Sequence, residues 1–81
     1  MKALVTVTLK PDVLDPQGQA ITKAIGSLGH EGVSDVRQGK VFEINLDATD
    51  AAKATAMLEE LADKLLANTV IEDYKVEIIE G

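Results

Sequence analysis

The sequence predicts an α+β fold in the order β-α-β-β-α-β. Three observations carry this: period-two apolar alternation at both ends of the chain and again near its middle, two stretches with apolar residues at helical spacing between them, and a length of 81 residues, enough for one domain spanning 1–81. Short connections and right-handed crossovers arrange these elements as a ferredoxin-like sandwich, a four-stranded antiparallel sheet with two helices on one face.

The first strand is 2-KALVTVTLK-10, with Ala3, Val5, Val7 and Leu9 facing one way and Lys2, Leu4, Thr6, Thr8 and Lys10 the other. Pro11 cannot donate to a ladder and ends it. Asp15 followed by Pro16 reads as a helix start, with an N-cap and a proline at the first helical position. Ala20, Ile21, Ala24, Ile25 and Leu28 then form an apolar stripe, and Gly29 is a natural stop. Residues 33–46 read as two antiparallel strands about a turn at Gln38-Gly39-Lys40. The second carries clean alternation at Phe42, Ile44 and Leu46; in the first, Val33 and Val36 have opposite parity, which implies a bulge or a late start.

A second helix is expected over about 50–67. Asp50 or Thr49 caps it, Ala54, Leu58, Leu61 and Leu65 make its core stripe with Met57 and Ala62 beside them, Glu60 and Lys64 pair along it, and Asn68 provides a left-handed stop. The last strand, 72-EDYKVEIIE-80, places Tyr74, Val76 and Ile78 on one face. Leu4, Val41 and Ile79 would fall on the uncovered side of the sheet, an expected contact face between copies.

Composition narrows the function. With one Phe, one Tyr, no Trp and no Cys, the core is thin and aliphatic, and oligomerisation is the expected supplement. Without Cys there is no thiolate nucleophile and no Cys-based metal site. The formal net charge of −6 disfavours nucleic acid and anionic membranes as partners. The N-terminal run lacks a continuous apolar h-region and a small-residue cleavage site, so a cytoplasmic protein is expected.

Individual candidates for chemistry are weak. Gly18 sits in a helical first turn, where glycine costs up to ~1 kcal/mol relative to alanine, so another backbone or a ligand is expected to approach it closely. An anion could dock at that helix start, but Asp15 already occupies the position. His30 is the only histidine and has no convincing nucleophile beside it; Arg37 and Lys40 flank the expected turn; Glu59, Glu60 and Asp63 read as a solvated helix face without metal-binding histidines.

Three separated blocks nevertheless resemble the PurS family: Leu9-Lys10-Pro11 with Val13-Leu14-Asp15-Pro16-Gln17-Gly18, then 33-VSDVRQGK-40, then 65-LLANTVIEDY-74. One departure is Thr69, where the family usually has proline. The resemblance implies the small, non-catalytic subunit of phosphoribosylformylglycinamidine synthase in purine biosynthesis. It implies a PurL-type synthetase subunit and a PurQ-type glutaminase subunit as partners, with further copies of itself in a dimer or tetramer. This chain would bridge the other two and support ammonia transfer, with no cofactor of its own; ATP and magnesium would belong to the synthetase. Leu14, Asp15, Pro16, Gln17, Gly18, Arg37, Gly39, Lys40 and Asn68 become the expected subunit interface. The alternatives on the same fold are a small-molecule-sensing regulatory domain and an acylphosphatase-type enzyme. The latter would need an arginine in the loop after the first strand, where 10-KPDVLDPQG-18 has none.

Overall fold

The computed structural model describes residues 1–80. Three strands, β1 (Lys2–Leu9), β2 (Gly39–Asn45) and β3 (Glu72–Glu80), form one antiparallel sheet in the order β2-β1-β3. Helix α1 (Pro16–Ser27) joins β1 to β2, and α2 (Ala51–Leu61), continued by a π-helical turn at Ala62–Leu66, joins β2 to β3. Among the described residues no helix is long and apolar enough to cross a membrane.

The expected alternation places β1 at the centre of the sheet. Ala3, Val5 and Val7 are fully buried, and their cross-strand neighbours Ile44, Phe42, Ile78, Val76 and Tyr74 extend the same inner face. On the outer face Leu4 is half-buried between Glu43 and Glu77, while Val41 lies exposed beside Thr6. Ion pairs Lys2–Glu43 and Lys75–Glu77 border this face. Ile79 is the extra residue of a bulge opposite the step from Lys2 to Ala3.

The fourth strand is absent. Residues 33–38 pair with nothing in the sheet, and Gly39 and Lys40 open β2 instead of turning a hairpin. The opposite parity of Val33 and Val36 explains this: the segment has no uniform face to bury. Its backbone groups serve the start of α1 instead, as described below.

The two helices also do not share a face of the sheet. Ala54, Leu58 and Ala62 seal the inner face, with Leu66 and Ala67 against the same cluster, and α2 lies nearest β3 among the strands. Asp50 caps α2 as expected, accepting from the N–H groups of Ala52 and Lys53. The inward stripe, however, runs 54, 58, 62, 66 and not 54, 58, 61, 65. Leu65 is 74% exposed, and Met57 and Leu61 are also on the surface. The π turn adds a residue to the helical repeat at this end and carries Leu66 to the core. Lys64 and Glu60 make the expected i, i+4 pair at 3.0 Å.

Helix α1 packs on no other element to any extent. Of its predicted stripe only Ile25 is half-buried, while Ala20, Ile21, Ala24 and Leu28 are exposed. The helix ends as the sequence predicts, at Gly29 with φ of +90°. β1 ends and β2 begins at the same end of the sheet, with Thr8 opposite Gly39, so residues 10–38 form an arm that leaves and returns there. The molecule is accordingly elongated, 48 × 27 × 14 Å.

Candidate functional site: the base of the arm

The residues singled out in the sequence meet at the foot of this arm. Asp15 caps α1 with extended backbone, and Pro16 takes the first helical position, where its missing N–H costs nothing. One Asp15 carboxylate oxygen accepts from the Gly18 N–H at 2.8 Å. The other accepts from the Gln38 N–H at 2.7 Å, across 23 residues of sequence. A side chain only 3% exposed thus ties the departing strand of the arm to the returning one. Both oxygens are engaged, which makes this carboxylate an anchor and leaves it poorly placed as a general base.

Gly18 completes the junction. A Cβ built at this residue would overlap the Val36 carbonyl oxygen and press on the Asp15 carboxylate. The unexplained glycine in the first turn of α1 therefore permits close approach of the returning backbone. Arg37 closes the third side: its guanidinium donates to the carbonyl oxygens of Lys10 at 2.9 Å and Val13 at 2.8 Å. This cation beside the expected turn is thus committed to its own chain. Lys40 remains available, 5.8 Å from the centre of the Phe42 ring. Leu14 and Gln17 are exposed, and Gly39 lies flush against Val7 and Thr8 of β1.

The turn after the second helix joins the same end of the sheet. The Lys10 N–H donates to the Ile71 carbonyl at 2.8 Å, and the Lys10 ammonium pairs with Asp73 at 3.2 Å. Asn68 shapes this turn, but not through the left-handed conformation expected of it; among the described residues no non-glycine has positive φ. Its side-chain carbonyl accepts from the Val70 N–H and its backbone carbonyl from Ile71 and Glu72, while its own N–H donates to the Glu72 carboxylate. An Asx turn thus does what a left-handed residue would have done. Val7, Leu9, Gln17, Gln38, Lys40 and Glu72 line a shallow hollow between arm and sheet end. Among the described residues no group of three or more His, Asp or Glu side chains is arranged to hold a metal.

Three blocks of sequence therefore converge on one structural junction, and comparison with known proteins places that junction in a family. The family model described as PurS, phosphoribosylformylglycinamidine (FGAM) synthase, matches residues 2–80. This chain belongs to the PurS family. A PurS relative from Mycobacterium leprae, described as a phosphoribosylformylglycinamidine synthase subunit, is 55% identical over 75 residues, 93% of this chain and 91% of that one. The solved structure of Bacillus subtilis PurS superposes with a TM-score of 0.84 at 46% identity, covering 98% of both chains. A chain from a structure described as PurLQS from Thermotoga maritima gives a TM-score of 0.88 at 27% identity, covering 96% of this chain and 95% of that one. The chain is thus a PurS subunit of FGAM synthase, acting in purine biosynthesis.

The electrostatics of the junction give a pH signature. The N–H groups of Gly18 and then Gln38, with the Arg37 guanidinium adding to them, hold the Asp15 carboxyl below its ordinary value of 3.8, against an opposing contribution from desolvation. A depressed folded-state pKa means that, between the folded and unfolded values, the unfolded chain binds more protons. The stabilisation is therefore complete above the ordinary aspartate range and is lost as pH falls through the folded value. Asp15→Asn is expected to flatten this dependence: melting temperatures of the two proteins should differ most at neutral pH and converge as pH falls through the lowered folded-state value of Asp15. A gap that stays constant across that range would show that Asp15 contributes by shape and not by charge.

Proposed function

We propose that this chain is the non-catalytic bridge of the synthase, holding a PurQ-type glutaminase against a PurL-type synthetase so that ammonia released from glutamine reaches the ATP-dependent step. ATP and magnesium belong, in this reading, to the synthetase, and the complex works in the cytoplasm. The observation that carries the proposal is the apolar surface around the π turn. Leu65 is 74% and Val70 81% exposed, with Met57, Leu61 and Ile71 nearby in sequence on the same helix end and turn. Exposed aliphatic side chains at this density favour a protein partner. The neighbouring motif residues Asp15, Gly18 and Arg37 are occupied in setting the arm. Leu14, Pro16, Gln17, Lys40 and Asn68 form the exposed or half-buried rim with which partner subunits would make contact. Leu4, Val41 and Ile79 offer a smaller outer-face contact for higher assembly. No observation favours the sensing-domain alternative.

The test is co-elution of this chain with both partner subunits in gel filtration, in the presence of ATP, magnesium and glutamine. Leu65→Asp combined with Val70→Asp should leave the circular dichroism spectrum unchanged and weaken assembly at least ~10-fold, as expected for the loss of two interface anchors. Unchanged assembly with this variant would remove the π-turn surface from the interface.

A further inference from the structure

The end of α2 presents its two leucines the wrong way round for an α-helix. Leu65 lies seven residues beyond Leu58, about 20° short of two full α-helical turns, and in regular α form would stand almost directly over it. Leu66, one residue further on, would lie about 80° to one side. The structure has the reverse: Leu65 is exposed, and Leu66 packs against the cluster that holds Leu58. A single backbone bond marks the cause. The Ala67 N–H donates to the Ala62 carbonyl at 2.9 Å, an i to i+5 closure where an α-helix closes i to i+4.

Three features bring the two registers close in free energy. The core site receives a leucine in either case, and Leu66 is only partly buried there. Hydrogen bonds exchange without loss, since in regular α form the Ala62 carbonyl would accept from Leu66 and Ala67 would donate to Asp63. The change is also local, because residues 68–71 beyond the helix are exposed and can absorb the rotation. What holds the π register is the turn itself. The Asn68 N–H donates to the Glu72 carboxylate at 2.7 Å, and the Asn68 backbone carbonyl accepts from Ile71 at 3.0 Å and Glu72 at 2.7 Å. These bonds lie at the surface, where water competes for the same groups and each contributes modestly.

We infer that the last turn of α2 is a register switch that arms the partner surface. With the π turn formed, Leu65 stands out beside Leu61 and Val70 as an anchor for a partner subunit. In regular α register Leu65 replaces Leu66 over Leu58, and the surface loses that anchor while the core keeps a leucine. Partner subunits therefore bind the π register alone, and any copy in α register lowers the apparent affinity in proportion to its population. Short register shifts of this kind take microseconds to milliseconds, fast enough to precede docking. The inference rests on the reading that partners dock at the π-turn surface, and adds what controls that surface.

The test uses Leu66→Ala, which removes the buried member of the pair and leaves Leu65 intact. Methyl NMR of the leucine-labelled chain should show Leu65 in contact with Leu58 in this variant, and Leu66 in that place in wild type. Assembly with the synthetase and glutaminase should weaken at least ~10-fold, corresponding to about a tenth of the copies left in the π register. Leu66→Met, which keeps a long apolar side chain in the core site, should retain the wild-type register and assembly. A Leu65 that stays in solvent in Leu66→Ala would overturn the inference. So would normal assembly by Leu66→Ala where Leu65→Asp with Val70→Asp fails to assemble: the surface would then be the interface but not under the control of the register. If the aspartate variant also assembles normally, the docking reading itself falls, and the inference with it.

Discussion

Gly18→Ala is expected to lower the melting temperature by about 4–24 °C. Helix propensity alone gives the opposite sign, because alanine in a first turn should gain up to ~1 kcal/mol over glycine. The added methyl group, however, falls on the Val36 carbonyl oxygen and beside the Asp15 carboxylate, and neither can retreat. The carbonyl belongs to backbone, and the carboxylate is fixed by two N–H groups. Forced overpacking of this kind costs about 1–3 kcal/mol. A chain of this length holds only ~4–12 kcal/mol in total, and each kcal/mol is worth ~4–8 °C. Thermal denaturation followed by circular dichroism checks it. A variant as stable as wild type would mean that the returning segment does not approach α1 as described.

The second large effect separates two leucines that the sequence treats alike. Leu58→Ala should cost about 3 kcal/mol, because Leu58 is fully buried and is one of the three largest fully buried side chains. Leu65→Ala should stay within ~0.5 kcal/mol, as is usual for surface sites. Both positions belong to the stripe expected from helical periodicity, and only the π turn separates their fates. Urea denaturation of the two variants gives the comparison directly. Equal losses would indicate that the helix continues in regular α form and that Leu65 faces the core.

These contrasts mark where the sequence is readable. β1, β2 and β3 follow from period-two alternation because each has a single buried face, and both N-caps follow from Asp15 and Asp50, whose short carboxylates reach free N–H groups. The π turn is not legible, since a one-residue slip in a helix leaves the composition of the stripe unchanged. The extra strand at 33–38 is suggested by the apparent turn at Gln38-Gly39-Lys40; the opposite parity of Val33 and Val36 is the local sign against it, and the long-range bond from Gln38 to Asp15 shows where that backbone goes instead. The position of α1 is not legible in the sequence for a related reason. Its stripe correctly announces a buried helix face, but periodicity does not say whether the burying surface lies in the same chain. Arg37 and Gly18 were singled out as contact residues through family resemblance, and the structure gives them an internal role that positions the contact surface.

The central claim, that this chain couples glutamine hydrolysis to the synthetase without taking part in the chemistry, is tested most directly by reconstitution. The synthetase and glutaminase subunits are assayed with ATP, magnesium and formylglycinamide ribonucleotide, with and without this chain, using either glutamine or an ammonium salt as nitrogen source. The account predicts that the glutamine-dependent reaction requires this chain and that the ammonium-dependent reaction proceeds without it. Equal dependence of both reactions, or of neither, would contradict it.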